Sequence, residues 1–150
     1  MGGHHFEPGR TVVTSGRTIG EGDIHLFAGL VGDFTPVHVD ESFARKSPFG
    51  GRIAHGPLAM STAIGMLTQT GWLGERVVGL LNLNWDFKAP VRIGDTIHSR
   101  VRVESARASS TPGRGVVVFD FDVVNQDETL VQHGRMTVLV NSGFEAERQA

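Results

Sequence analysis

The sequence predicts an α+β domain in which a curled antiparallel sheet wraps one long apolar helix. Two features carry that prediction. Residues 57–69 contain no charged side chain: Leu58, Ala59, Met60, Ala63, Ile64, Met66 and Leu67 surround the helix axis, and Ser61, Thr62 and Gly65 are its polar or small members. A helix apolar nearly all round is a buried one. From residue 77 onward, four segments alternate apolar and polar side chains between short turn-forming stretches, the pattern of successive antiparallel strands. At 150 residues the chain suits a single domain, 1–150, with a core of its own.

Taken in order, residues 1–10 read as an irregular lead-in ending in Pro8-Gly9, with no role for His4 or His5. Residues 11–19 are rich in β-branched side chains and read as one strand. A helix is expected over 21–31, where Ile24, Phe27, Ala28 and Val31 fall at helical spacing and Glu21 and Asp23 suit the positive N-terminal end. Gly32 stops it, so Asp33 emerges just past its end. Asp40 is placed as the N-cap of a short helix over 40–44. Ser47-Pro48-Phe49-Gly50-Gly51 is loop chemistry. The long helix begins at His55-Gly56-Pro57, because Gly suits the position before a helix and Pro its first residue.

In 77–87, Val77, Gly79, Leu81, Leu83, Trp85 and Phe87 are assigned to one face, and Asn82, Asn84 and Asp86 to the other. Strands follow at 96–105, 115–124 and 129–140, with turns at 106–114 and 125–128. The tail, 141–150, is polar. A sheet of this kind has exposed edges, and pairing with a second copy would cover one of them. A homodimer or higher homo-oligomer is therefore expected.

Composition narrows the function. The formal net charge is −2 and no Lys/Arg cluster marks a basic face, so no nucleic-acid partner is expected. The absence of Cys excludes disulfides, thiol nucleophiles and cysteine metal sites. No zinc-ligand spacing is present among His, Asp and Glu, so no metal is expected. No run of 18 apolar residues suggests a membrane span, and the first residues lack the basic start and apolar core of a secretory signal. A cytoplasmic protein is the expectation. His25, His98 and His133 read as surface residues, and Lys88 and Arg52 as solvated cations.

The informative stretch is 32–58. Asp33 and His38 lie five positions apart in a segment rich in turn chemistry, where Pro36 biases Thr35 away from helix. A rigid acid/base pair beside an open helix N-terminus is what a reaction that makes an oxyanion needs. Gly32-Asp33-Phe34-Thr35-Pro36-Val37-His38-Val39-Asp40, with Phe49-Gly50 and Ile53-Ala54-His55-Gly56, resembles the hydratase motif of the MaoC-like, (R)-specific enoyl-CoA hydratase family. Arg17-Thr18-Ile19, Asp23-Ile24, Trp85 to Val91 and Gly94-Asp95 resemble that family too. The likeness covers roughly residues 5–140.

The resemblance implies a single hot-dog fold, usually dimeric, acting on acyl thioesters of coenzyme A, with no cofactor beyond the coenzyme A of the substrate. It implies catalytic roles for Asp33 and His38, and an oxyanion-binding amide at Gly56. His55, Phe49 and Thr35 are carried along as substrate-binding residues. Thr35 stands where the family commonly has Asn, and Ile64 where some hydratases place a Ser. Two rival readings on the same fold are an acyl-CoA thioesterase and a non-catalytic acyl-thioester-binding subunit. The long helix offers no small-residue groove beyond Ala59, Ala63 and Gly65, which points to short or branched acyl groups, dicarboxylic ones included.

Overall fold

A computed structural model describes residues 5–141 of the chain; His4 and the polar tail beyond Asn141 lie outside them. Its elements run β1 (Thr11–Val13), β2 (Arg17–Thr18), α1 (Glu21–Val31), α2 (Pro36–Val39), α3 (Glu41–Arg45), α4 (Gly56–Gln69), a 3-10 turn (Gly74–Arg76), β3 (Val77–Phe87), β4 (Thr96–Ala108), β5 (Arg114–Val124) and β6 (Leu130–Asn141). The strands form one antiparallel sheet in the order β1-β4-β5-β6-β3, with β2 also paired to β4. No helix among the described residues is long and apolar enough to cross a membrane.

Burial of the α4 face against the sheet organises the core. Leu58, Ala59, Ala63, Met66 and Leu67 are the buried residues of α4. They join Ile97, Val101 and Val103 of β4, Val117, Phe119, Phe121 and Val123 of β5, and Met136, Val138 and Val140 of β6 in one cluster. The all-round apolar reading of α4 is only half right. Ser61, Thr68 and Gln69 are exposed, and Met60 and Ile64 are partly so, leaving one face of the helix outside the core of this chain.

Several boundaries differ from the sequence expectation. The strand expected over 11–19 breaks into β1 and β2, both on β4, because Thr14 leaves regular pairing. Its N–H donates to the Ser99 carbonyl at 2.9 Å, while its hydroxyl accepts the Ser99 N–H at 2.9 Å. The turn expected over 106–114 shrinks, since Ala106–Ala108 continue β4 opposite Gly115–Val117. The lead-in is anchored: Phe6 is buried and meets Phe119 edge-on at 5.8 Å, and His5 Nε2 bonds the Trp72 carbonyl at 2.6 Å.

In β3 the alternation survives only at its C-terminal half. Directly paired residues of antiparallel strands share a face. Phe87, Trp85, Leu83, Leu80 and Val77 stand opposite Gln132, Gly134, Met136, Val138 and Val140, the inward residues of β6. Register shifts at Val77/Gly79 and Leu80/Asn82 each insert a residue. They move Gly79 and Leu81 off the face expected for them. β3 pairs with β6 alone, and Val77, Val78, Leu80 and Leu81 are exposed along this edge strand.

Gly134 is required by packing. A Cβ there would lie 2.1 Å from Cε3 of Trp85, whose ring lies across the bare backbone of β6. Gly134→Ala is expected to force the indole out of place and destabilise the fold by about 1–3 kcal/mol, read as a lower denaturation midpoint at unchanged m-value.

Candidate active site

The site is built where α1 ends. Gly32 caps the helix in left-handed backbone, φ 77°, with its N–H on the Ala28 carbonyl at 2.8 Å, as the glycine in that place predicts. The chain turns, and Asp33 is the next residue. Its Oδ1 accepts the Thr35 N–H at 3.1 Å and the Thr35 hydroxyl at 2.6 Å. The Thr35 hydroxyl first, then its amide, holds the exposed Asp33 carboxyl below the usual carboxylate range, with smaller help from His55 and His38. Thr35 is extended before Pro36, as expected. Pro36 then opens a one-turn helix, α2, where only a turn was foreseen, and His38 rides on it.

Both imidazoles are oriented by main-chain carbonyls. His38 Nδ1–H donates to the Ile53 carbonyl at 2.8 Å, which in the neutral ring leaves Nε2 with the free lone pair. His55 Nε2–H donates to the Asp33 carbonyl at 2.9 Å. The two rings stack with centroids 3.9 Å apart and planes 25° from parallel, and Phe27 packs beside His55 at 5.0 Å. Ligand atoms of Asp33, His38 and His55 all lie within 4.8 Å of one another. His55 is 1% exposed, with its ring stacked on His38 and its Nε2–H on the Asp33 carbonyl. Thr35 likewise serves Asp33.

Ile53-Ala54-His55 is clamped into place. Ile53 N–H donates to the Val37 carbonyl at 3.2 Å and Ala54 N–H to that of Val91 at 2.7 Å. Arg52, just before, bridges Glu21 of α1 at 2.7 Å and Glu41 of α3 at 2.5 Å. These partners, Glu41 first, push the guanidinium further toward its charged form, and Arg52 in turn lowers the Glu41 carboxyl. Arg52 is therefore an internal tie rather than a solvated cation.

Gly56 is the first residue of α4, one earlier than expected, with His55 in the capping position. Among the described residues its N–H has no hydrogen-bond partner. A cavity of about 320 Å³ borders it, lined also by Phe49, Ile53, Phe87, Lys88 and Gln132. Asp33 and His38 stand outside this wall; His55 links them to Gly56 through the chain. Phe49 is thus brought to the cavity, while Thr35 and His55 are brought to the acid/base pair. Sequence reasoning missed Gln132. It is buried, donates through Nε2 to the Gly56 carbonyl at 3.0 Å, and accepts the Trp85 indole N–H at 2.9 Å. Its signal was a polar residue at an inward position of the last strand.

Residues 5–122 match the MaoC like domain family. The chain belongs to that family. It is 38% identical over 128 residues to the (R)-specific enoyl-CoA hydratase of Rhodospirillum rubrum, a hydro-lyase, covering 83% of this chain and 81% of that protein. The crystal structure of the MaoC-like dehydratase from Rhodospirillum rubrum superposes with a TM-score of 0.79 at 27% identity, over 91% of this chain and 94% of that one. The fold is a hot-dog: a Mycobacterium tuberculosis protein with a double hotdog fold matches at a TM-score of 0.79 and 22% identity, over 94% of this MaoC-like chain and 44% of that one.

Thr35→Val deletes the strongest influence on the Asp33 carboxyl. Its pKa is expected to rise, and ¹³C NMR titration of the Asp33 carboxyl should give a midpoint at higher pH than in the unaltered protein. An unmoved midpoint would remove the Thr35 hydroxyl from the account.

Proposed function

We propose that this chain adds water across the C2=C3 bond of a trans-2-enoyl-CoA to give a 3-hydroxyacyl-CoA, and catalyses the reverse dehydration. The single observation that carries this reading is the convergence of the Asp33 carboxylate with His38, whose Nδ1–H is fixed on a carbonyl so that Nε2 is the free basic nitrogen.

In the proposed mechanism one water sits between Asp33 and His38. Its O–H bond breaks as its oxygen bonds C3, the proton passing to the pair. The π electrons move onto the thioester oxygen, and the enolate collapses as C2 takes a proton from the pair, which acts as one coupled unit. General acid–base help of this kind is worth about 10²–10⁴-fold. Gly56 N–H, free at the positive end of α4, meets the developing oxyanion, and such a donor contributes about 3–4 kcal/mol. No electrons enter or leave, so the reading needs no redox cofactor, and with the Gly56 amide taking the oxyanion it calls on no metal; coenzyme A enters only as part of the substrate. Phe49, at the cavity wall, contacts the acyl thioester. Ala59 and Ala63 are fully buried and form no open groove, which supports short or branched acyl groups. The proposal includes a cytoplasmic location.

A second copy belongs to the reading. The exposed apolar edge of β3 and the uncovered face of α4 support a homodimer in which two β3 strands pair. Leu80→Arg should then shift the protein to monomer in analytical ultracentrifugation, whereas an unchanged sedimentation coefficient would exclude β3 pairing.

Crotonyl-CoA tests the chemistry. Loss of enone absorbance without free thiol is expected. Thiol release would mark a thioesterase instead, and neither change would mark a binding subunit or a different acyl group. Asp33→Asn and His38→Gln should each lower kcat by at least about 10²-fold with circular dichroism unchanged. Near-normal turnover in either variant overturns the assignment.

A further inference from the structure

We infer that Gln132, far from the hydratase motif in sequence, is a positioning residue that fixes the Gly56 amide for oxyanion binding, held in turn by Trp85 and Gly134. This rests on the reading of Gly56 N–H as the oxyanion donor.

One face of two neighbouring strands, β3 and β6, carries the contacts. Trp85 stands opposite Gly134, and Phe87 opposite Gln132. Gly134 has no side chain, and the indole lies in the space that its Cβ would fill. There Trp85 Nε1–H donates to Gln132 Oε1 at 2.9 Å. That bond sets which way the Gln132 amide faces, because the indole N–H can only donate. Nε2 is left to donate to the Gly56 carbonyl at 3.0 Å. A flipped amide would set its oxygen against the Gly56 carbonyl oxygen and its NH₂ against the indole N–H. At 2% exposure Gln132 has little access to water that could relieve either clash.

The fourth member, Phe87, closes the other side. A Cβ on Gly56 would lie 2.7 Å from Phe87 Cδ1, so the ring rests on the glycine's bare α-carbon. Gly56 is therefore gripped between an aromatic ring and a buried amide, with Pro57 fixing the next φ angle. Glycine has the loosest backbone of any residue. The peptide that carries its N–H is held on one side through the His55 carbonyl, which accepts the Leu58 N–H at 3.0 Å and the Ala59 N–H at 3.4 Å, and the grip on the Gly56 carbonyl and α-carbon fixes the other side. An oxyanion donor helps most when it needs no reorganisation as charge develops. The positioning acts on the transition state more than on ground-state binding, so its loss lowers kcat and leaves KM nearly unchanged.

The test compares the full-length enzyme with Gln132→Leu, which keeps bulk and removes both hydrogen bonds, and with Trp85→Phe, which keeps an aromatic ring and removes the anchor. Turnover of crotonyl-CoA and the infrared carbonyl stretch of bound, ¹³C-carbonyl-labelled butyryl-CoA are measured for each. In the unaltered enzyme the bound stretch should lie below its value in water. Gln132→Leu should lower kcat by about 10–100-fold with KM within about 3-fold, and should return the stretch toward its value in water. Trp85→Phe should move both readouts the same way by less. Gln132→Glu adds a pH signature: only its protonated carboxyl can donate to the Gly56 carbonyl, so its kcat relative to the unaltered enzyme should fall as pH rises. If the folded variants keep kcat and the carbonyl frequency, Gln132 is structural and the inference is overturned while the hydratase reading stands. An unaltered enzyme that turns over no enoyl thioester and leaves the carbonyl frequency unshifted brings down both.

Discussion

The buried imidazole of His55 is the contact on which the site depends. It stands at the capping position of α4, stacks on His38, and donates Nε2–H to the main-chain carbonyl of Asp33. One ring thus joins three groups carried by three different elements. Asp33 is reached through its own backbone and not its side chain, which leaves the carboxylate free of His55, with Thr35 on Oδ1. Among the described residues no hydroxyl or charged side chain hydrogen-bonds to His55, although the Asp33 carboxyl lies close by. Among the described residues its Nδ1 has no hydrogen bond, one of two such buried side-chain atoms. A buried polar atom left unpaired costs about 1–3 kcal/mol, so stability alone does not explain a histidine here.

Around that ring the segment from α1 to α4 reaches the core through Ile24, Ala28, Ala44 and Ala54, and polar links tie down the rest. Phe34 and Phe43 are exposed, and only Ala44 of α3 is fully buried. Arg52 reaches Glu21 on one side and Glu41 on the other, so ion pairs with a largely enclosed guanidinium span α1 and α3. Asp40 caps α3 by accepting the Phe43 N–H at 2.9 Å. These links hold Asp33 and His38 near the surface, while most of the apolar burial lies between α4 and the sheet.

The sheet contributes more than a floor. Its last strands present Trp85, Phe87, Gln132 and Gly134 as two adjacent cross-strand pairs, and these bracket the start of α4. The bulges in β3 lie beyond them, toward the other end of the strand. Regular register is kept where the helix start must be held, and is lost along the exposed apolar edge.

Local chemistry was legible in the sequence. Gly32 as a helix stop, Asp40 as a cap, Pro57 near a helix start and the alternation of β4, β5 and β6 each follow from one residue's backbone or side-chain preference, and none needs a distant partner. The motif 32–58 also announced which family and which acid/base pair to expect. Tertiary structure decided the rest, because it concerns contacts between residues far apart in the chain. The bulges that re-aim β3 depend on β6. The break between β1 and β2 depends on Ser99. Arg52 is an internal tie only because α1 and α3 bring carboxylates to it. Gln132 meets Gly56 across 76 positions of sequence. A preference is written into a residue, but a hydrogen bond needs its partner's position, and only the folded chain supplies that.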